Sequence, residues 1–259
     1  MTISASSELL KRAERAALLA ESSQVAEEPL RFAAVLFRAQ ARLAERISAL
    51  PLTGALAKDA AALIEPARAL LESAARAAPA LLAEAARERR GEAAEPFAAR
   101  LKIYWLGDLG SRDDYLSRAI LRPYCAVLAS ASVRPDRPHP QAGCPFCGGS
   151  PSVCARRPES DAARRLLCCA LCGDEWPVNR IRCPACGEED PPRLPYFQTE
   201  GHPFARIEAC DTCRRYVKSI DLSQDGRLIP EVDDLASLGL DLWAVEQGYT
   251  RIEPGLAGL

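Results

Sequence analysis

Four Cys-x-x-Cys pairs fall within seventy residues of this chain: Cys144/Cys147, Cys169/Cys172, Cys183/Cys186 and Cys210/Cys213. Two such pairs make one tetrahedral four-cysteine site, because each short turn presents two thiolates to the same ion. Eight thiols at this spacing predict two metal sites. They also predict small modules whose folding leans on the ion more than on a large core. The segment before Cys144 holds one cysteine, Cys125, and has a different character.

Eleven cysteines would suggest disulfides in a secreted protein. The opening Met1-Thr-Ile-Ser-Ala-Ser-Ser has no basic stretch followed by an apolar one, so no secretory leader is expected. No run approaches the roughly 18 uninterrupted apolar residues of a membrane span. The expected setting is cytoplasmic, where paired thiols bind metal rather than each other. A net charge of −2, from 33 basic and 35 acidic residues, argues against a general nucleic-acid binder.

Residues 1–133 are rich in Ala, Leu, Arg and Glu and read as an α-helical domain of five or six helices. Phe32, Leu36, Leu43 and Ile47 share one helical face. Pro29 suits the first turn of that helix, and Pro51 with Gly54 marks its end. Leu56, Leu63, Leu70 and Leu71 continue the pattern, with Pro66 and Pro79 as expected kinks or breaks. A further helix is expected from Asp113 to Ala131, bent near Pro123. Residues 134–143 carry three prolines and read as a linker.

The cysteine half repeats itself: Cys144 to Cys183 is 39 residues and Cys169 to Cys210 is 41. The first module, 144–182, is expected to place strands at Ser152–Arg156, Arg165–Cys168 and Glu175–Asn179, with a polar turn between the first two. The second, 183–224, has them at Leu194–Gln198, Ala205–Glu208 and Tyr216–Asp221. Residues 225–259 carry one amphipathic helix on Val232, Leu235, Leu238, Leu242 and Val245, widened by Trp243. The fold class is thus α+β multidomain: a helical bundle, two small zinc-ribbon-like modules with four cysteines each, and a C-terminal helix.

Sequential pairing gives one site to Cys144, Cys147, Cys169 and Cys172, and the other to Cys183, Cys186, Cys210 and Cys213. It is favoured because each pair of knuckles then encloses one hairpin; a cross-braced pairing stays open. Thiolates suit zinc or a single iron. Gly148, Gly173 and Gly187 follow three of the knuckles and allow a positive φ, whereas the fourth has Arg214. Cys125, Cys154 and Cys168 are left over and read as buried apolar thiols. His139 and His202 read as turn residues. Arg180 and Arg182, with Arg156, Arg157, Arg164 and Arg165, form either a basic face or an ordinary solvated surface. Sites saturated by four thiolates leave no open coordination position, so no enzymatic activity is expected.

Cys169-Ala-Leu-Cys-Gly-Asp-Glu-Trp176, Arg180-Ile-Arg-Cys-Pro-Ala-Cys-Gly187 and Cys210-Asp-Thr-Cys-Arg-Arg-Tyr-Val-Lys218 resemble the formate dehydrogenase accessory protein family, FdhE. The tail from Val232 to Tyr249, with its Asp-Asp-Leu-Ala run, is similar to that family's C-terminal signature. The likeness covers Cys144 to about Tyr249. The helical half matches only in length and character. The resemblance implies rubredoxin-like modules, with the eight cysteines holding two metal ions: iron, or zinc as the alternative. It implies a cytoplasmic maturation factor, supporting assembly, cofactor loading or redox state. Its partner would be the catalytic subunit of a molybdenum- or tungsten-dependent formate dehydrogenase. The alternative reading is a zinc-ribbon adaptor for nucleic acid or a transcription complex.

Overall fold

The computed structural model describes residues 4–159 and 163–258. Six helices form the first half: α1 Ala5–Ser22, α2 Glu27–Ser48, α3 Leu56–Ala77, α4 Ala80–Gly91, α5 Ala94–Leu106 and α6 Tyr115–Ser130. Small side chains let α1 lie close on α2. Ala13, Ala16 and Ala20 are buried on α1, and Ala33, Ala34, Ala41 and Ala44 on α2. Phe32, Leu36, Leu43 and Ile47 are all buried, as their spacing predicts.

Pro66 does not break its helix. It is buried within α3 between Leu63, Ile64, Ala67 and Leu70, whose packing outweighs one lost backbone hydrogen bond. Pro79 does stand at a break, immediately before α4. Pro123 lies inside α6.

The second half holds β1 Pro151–Pro158, β2 Ala163–Cys169, β3 Glu175–Pro177, β4 Tyr196–Gln198, β5 Ala205–Cys210 and β6 Arg215–Asp221. The polar turn expected between the first two strands falls on residues 160–162, which lie outside the described residues. Two short helices follow, α7 Pro230–Ala236 and α8 Leu238–Glu246, and then β7 Thr250–Arg251. The strands belong to a single sheet in the order β3-β2-β1-β6-β5-β4, with β7 also paired to β6. The two hairpins join through a parallel contact, Val153–Arg156 of β1 against Lys218–Asp221 of β6. Alternation then sorts the side chains onto two faces. Val153, Ala155, Ile207 and Tyr216 pack beneath α8, while Cys154, Leu167 and Val217 face the other way.

The tail differs from its sequence expectation. The single amphipathic helix is two helices, broken at Ser237, and Leu242 and Val245 are exposed rather than packed. The cause is Lys218 of β6, which is completely buried. Its ammonium donates to the carbonyls of Asp234 (2.7 Å) and Ser237 (3.1 Å) and to Ser237 Oγ (3.2 Å). A buried ammonium needs such acceptors, and the chain break turns these carbonyls toward it.

The acidic residues of the tail hold it on two sides. Glu231 accepts a bidentate pair from Arg122, and Asp233 accepts from Arg15 at 2.5 and 3.1 Å, both toward the helical domain. Asp234 and Asp241 bind Arg251 at 2.7 and 2.9 Å and also pair with Lys218, both toward the sheet. Arg251 in turn donates to the Ser152 carbonyl of β1 at 2.7 Å.

Candidate metal centres

Each Cys-x-x-Cys turn closes in the same way. The residue after the second cysteine donates its N–H to the carbonyl of the first: Gly148 to Cys144 (2.8 Å), Gly173 to Cys169 (3.2 Å), Gly187 to Cys183 (3.0 Å) and Arg214 to Cys210 (2.8 Å). Closing the turn requires a positive φ, and all four residues have one, Arg214 included at 56°. Its long side chain is carried away along the tail. The guanidinium stacks 3.9 Å from the Tyr249 ring centroid, donates to the Gln247 carbonyl at 2.6 Å and pairs with Asp211 at 3.0 Å.

Gly148 is the most constrained of the four. A Cβ there would lie 2.0 Å from the Pro138 carbonyl oxygen, on a backbone at φ +69°. Gly173 has φ +78° but no atom nearer than the Arg12 guanidinium at 3.6 Å. Gly148→Ala should therefore cost at least about 2 kcal/mol, and Gly173→Ala nearer ~1 kcal/mol, the ordinary penalty of a left-handed alanine. Denaturant unfolding of the two variants checks the difference; equal losses would contradict it.

The folded chain gathers the eight sulfurs into two sets. Cys144, Cys147, Cys169 and Cys172 form one, Cys183, Cys186, Cys210 and Cys213 the other, and within each set all sulfurs lie within 4.8 Å of one another. These are the sequential sets rather than the cross-braced ones. Sulfurs approach one another at 3.4 Å for Cys147–Cys169, 3.6 Å for Cys144–Cys172, and 3.7 Å for both Cys183–Cys213 and Cys186–Cys210. A tetrahedron with metal–sulfur bonds of about 2.3 Å has edges of about 3.8 Å, so both sets fit an ion of the zinc or iron class. Backbone N–H groups already point at the sulfurs, from Leu171 and Cys172 to Cys169 (3.4 and 3.5 Å) and from Ala185 to Cys183 (3.4 Å). Such donors stabilise thiolate charge. All eleven cysteines are free, and the two clusters could hold two metal ions.

The two sets sit in different surroundings. Cys144, Cys147 and Cys169 belong to the same apolar core as α1, α2 and α6, and Cys172 packs against it. In the second set Cys183 and Cys210 are buried, Cys213 is half-buried and Cys186 is exposed. Without an ion, hydrogen bonds from Cys147, Cys169 and Cys172 hold the Cys144 thiol far below its ordinary range, and Cys144 pushes Cys172 far above.

The residues between α6 and the first knuckle strap these two parts together. Asp136 accepts from Trp105 Nε1 (2.8 Å) and from the Leu56 N–H at the start of α3 (3.2 Å). Arg137 donates to the Cys147 carbonyl (3.1 Å) and Arg134 to the Pro145 carbonyl (2.7 Å). His139 lies between the carbonyls of Arg137 (2.7 Å) and Phe146 (2.9 Å), bracing the knuckle rather than supplying a ligand. His202 packs edge-on to Phe204.

The three remaining thiols are buried. Burial pushes Cys154 up to about 12 and raises Cys168 well above the ordinary thiol range. Cys125 of α6 belongs to the same apolar core as Cys147, a neighbourhood that sequence spacing did not reveal. Four of the six arginines considered for a basic face are paired with carboxylates: Arg156 with Asp221 (2.8 Å), Arg157 with Glu175 (2.7 Å), Arg165 with Glu208 (2.9 Å) and Arg182 with Glu189 (2.6 Å). No described helix is long and apolar enough to cross a membrane.

Comparison with known proteins agrees with this architecture. The family model "FdhE, C-terminal domain" matches residues 181–256. A protein FdhE homolog of Aquifex aeolicus is 38% identical over 116 residues, covering 44% of this chain and 41% of that protein. One from Pseudomonas aeruginosa is 38% identical over 120 residues, covering 44% and 38%. Protein FdhE of an Escherichia coli strain is 35% identical over 109 residues, covering 42% and 35%. The chain thus matches about two fifths or less of the length of these relatives. The crystal structure of the FdhE protein from Pseudomonas aeruginosa superposes at a TM-score of 0.71 with 26% identity, over 99% of this chain and 97% of that one. The fold likeness therefore extends through the helical half, and with the family model at residues 181–256 the chain is similar to FdhE proteins in both halves.

Proposed function

We propose that this chain is a non-enzymatic accessory factor for formate dehydrogenase. It acts in the cytoplasm, docks on the catalytic subunit and supports its assembly, cofactor loading or redox state. The observation that carries the reading is the fold likeness to an FdhE protein over 99% of the chain, with the family's C-terminal domain at residues 181–256. The eight cysteines are proposed as ligands of two ions, Cys144, Cys147, Cys169 and Cys172 for one and Cys183, Cys186, Cys210 and Cys213 for the other.

We take the ions to be iron, with zinc as the alternative; iron between thiolates would supply one-electron chemistry, which zinc does not. The second set suits contact with a client, because Cys186 is exposed there while the first set is enclosed by helices. Neutralised arginines on the first ribbon leave the nucleic-acid reading without a continuous basic surface.

The test is complementation of a strain lacking the factor. Wild-type chain should restore formate dehydrogenase activity and capture the catalytic subunit in a pull-down. Cys186→Ser should lose activity while the chain stays folded. If neither activity nor capture depends on the chain, the reading fails. Anaerobic purification with metal analysis and an absorption spectrum distinguishes red thiolate-bound iron from colourless zinc.

A further inference from the structure

A cavity of about 110 Å³ lies beside the second cysteine set, with Cys183 and Cys210 in its wall. Five arginines line it: Arg165 of β2, Arg180 and Arg182 of the segment joining the modules, Arg206 of β5 and Arg215 of β6. Glu208 is the one carboxylate in the wall. It already accepts from Arg165 (2.9 Å) and Arg206 (2.6 Å). The buried Arg165 is further fixed by the carbonyls of Asn179 (2.8 Å) and Arg182 (3.0 Å). Arg182 pairs with Glu189 at 2.6 Å. Arg180 and Arg215 have no ion-pair partner among the described residues.

We propose that this cavity binds a tetrahedral oxyanion of the phosphate class. The volume exceeds that of a single water, whose share of liquid volume is about 30 Å³. It falls well short of the roughly 300 Å³ at which pockets for organic cofactors begin. Charge points the same way. Setting Glu208, Glu189 and a dianionic metal–thiolate cluster against the five arginines still leaves the cavity cationic. Shape chooses among anions. A planar carboxylate is satisfied by one or two forks, as Glu208 is. Guanidinium groups arriving from β2, β5, β6 and the connecting segment suit an anion with acceptors in several directions. A phosphate ester carries about −1.5 to −2 charge near neutral pH and matches two unpartnered arginines. The proposal does not depend on the accessory role.

The test is calorimetric titration of the full, metal-replete chain with inorganic phosphate, sulfate and acetate. Phosphate and sulfate should each fill one saturable site, and acetate should bind at least about tenfold more weakly. The double variant Arg180→Ala/Arg215→Ala should weaken phosphate binding about tenfold or more, as expected for lost charge-assisted hydrogen bonds. Arg164→Ala, an exposed arginine of β2 outside the cavity, should leave it unchanged. If the double variant loses metal, Arg180→Ala alone, outside the Cys-x-x-Cys turns themselves, carries the same expectation. Absence of a saturable site, equal binding of acetate, or binding indifferent to the arginine substitutions would each overturn the proposal. Phenyl phosphate separates a pendant ester from the free ion; binding of either kind that depends on Arg180 and Arg215 supports the site.

Discussion

Asp241→Ala should destabilise the chain by about 3–5 kcal/mol, the range seen when one partner of a buried ion pair is removed. Asp241 is 1% exposed, Lys218 0% and Arg251 5%. One oxygen of Asp241 accepts from Tyr216 (2.8 Å) and Arg251 (2.9 Å), and the other pairs with Lys218. Without it, two enclosed cations share only Asp234, at 3.3 and 2.7 Å. At about 2–4 °C per kcal/mol for chains of this size, the melting temperature should drop by roughly 10 °C. Leu242→Ala, at an exposed neighbour, should stay within about 0.5 kcal/mol of wild type.

Acidity gives the same claim a second readout. Burial would raise the Asp241 carboxyl, but Arg251 and Lys218 prevail and hold it below its usual range. A carboxylate so depressed contributes stability that is present above the unfolded value of about 3.9 and disappears as pH falls through the folded value. The penalty of Asp241→Ala should therefore shrink in acid. A variant that unfolds within about 1 kcal/mol of wild type at neutral pH would refute the clasp.

The second large effect concerns the two cysteine sets. Cys169→Ser should remove one equivalent of metal and lower the melting temperature of the whole chain, on the order of 10 °C or more, because the binding energy of a structural ion is folding energy. Cys169 is 2% exposed and packs in one core with α1, α2 and α6, so its loss reaches the helical domain. Cys186→Ser should also remove one equivalent, yet leave the melting of that domain nearly unchanged, because Cys186 is exposed and its set lies outside that core. Metal analysis with far-ultraviolet circular dichroism reads both quantities. Equal effects of the two substitutions would show that the difference in enclosure has no energetic meaning.

How much of this was legible beforehand depends on the range of the interaction. The knuckles announce themselves because two thiolates on one tight turn need fixed spacing, and each hairpin brings its own two turns together. The α2 face over Phe32, Leu36, Leu43 and Ile47 was equally plain, being a matter of periodicity. Local rules left Pro66 as a kink or a break, and α3 runs on unbroken through it among buried leucines. They misjudged the tail, where period alone joins Val232 to Val245. The break at Ser237 answers to Lys218, nineteen positions earlier in the chain. Nothing in the local pattern marks that lysine as buried. The parallel pairing of β1 with β6 and the five-arginine cavity arise from distant segments in the same way.

The β1–β6 contact bears on how the protein can be cut for experiment or engineering. A fragment stopping at residue 182 would keep one complete four-cysteine set and yet lose the strand that covers one side of β1. The backbone amides and carbonyls of Val153–Arg156 would then stand open to a second molecule, the usual route to edge-on aggregation. The cysteine half is therefore best expressed as an uninterrupted piece through β7, and attempts to isolate one half-unit should yield fibrils or inclusion bodies rather than a miniature metalloprotein.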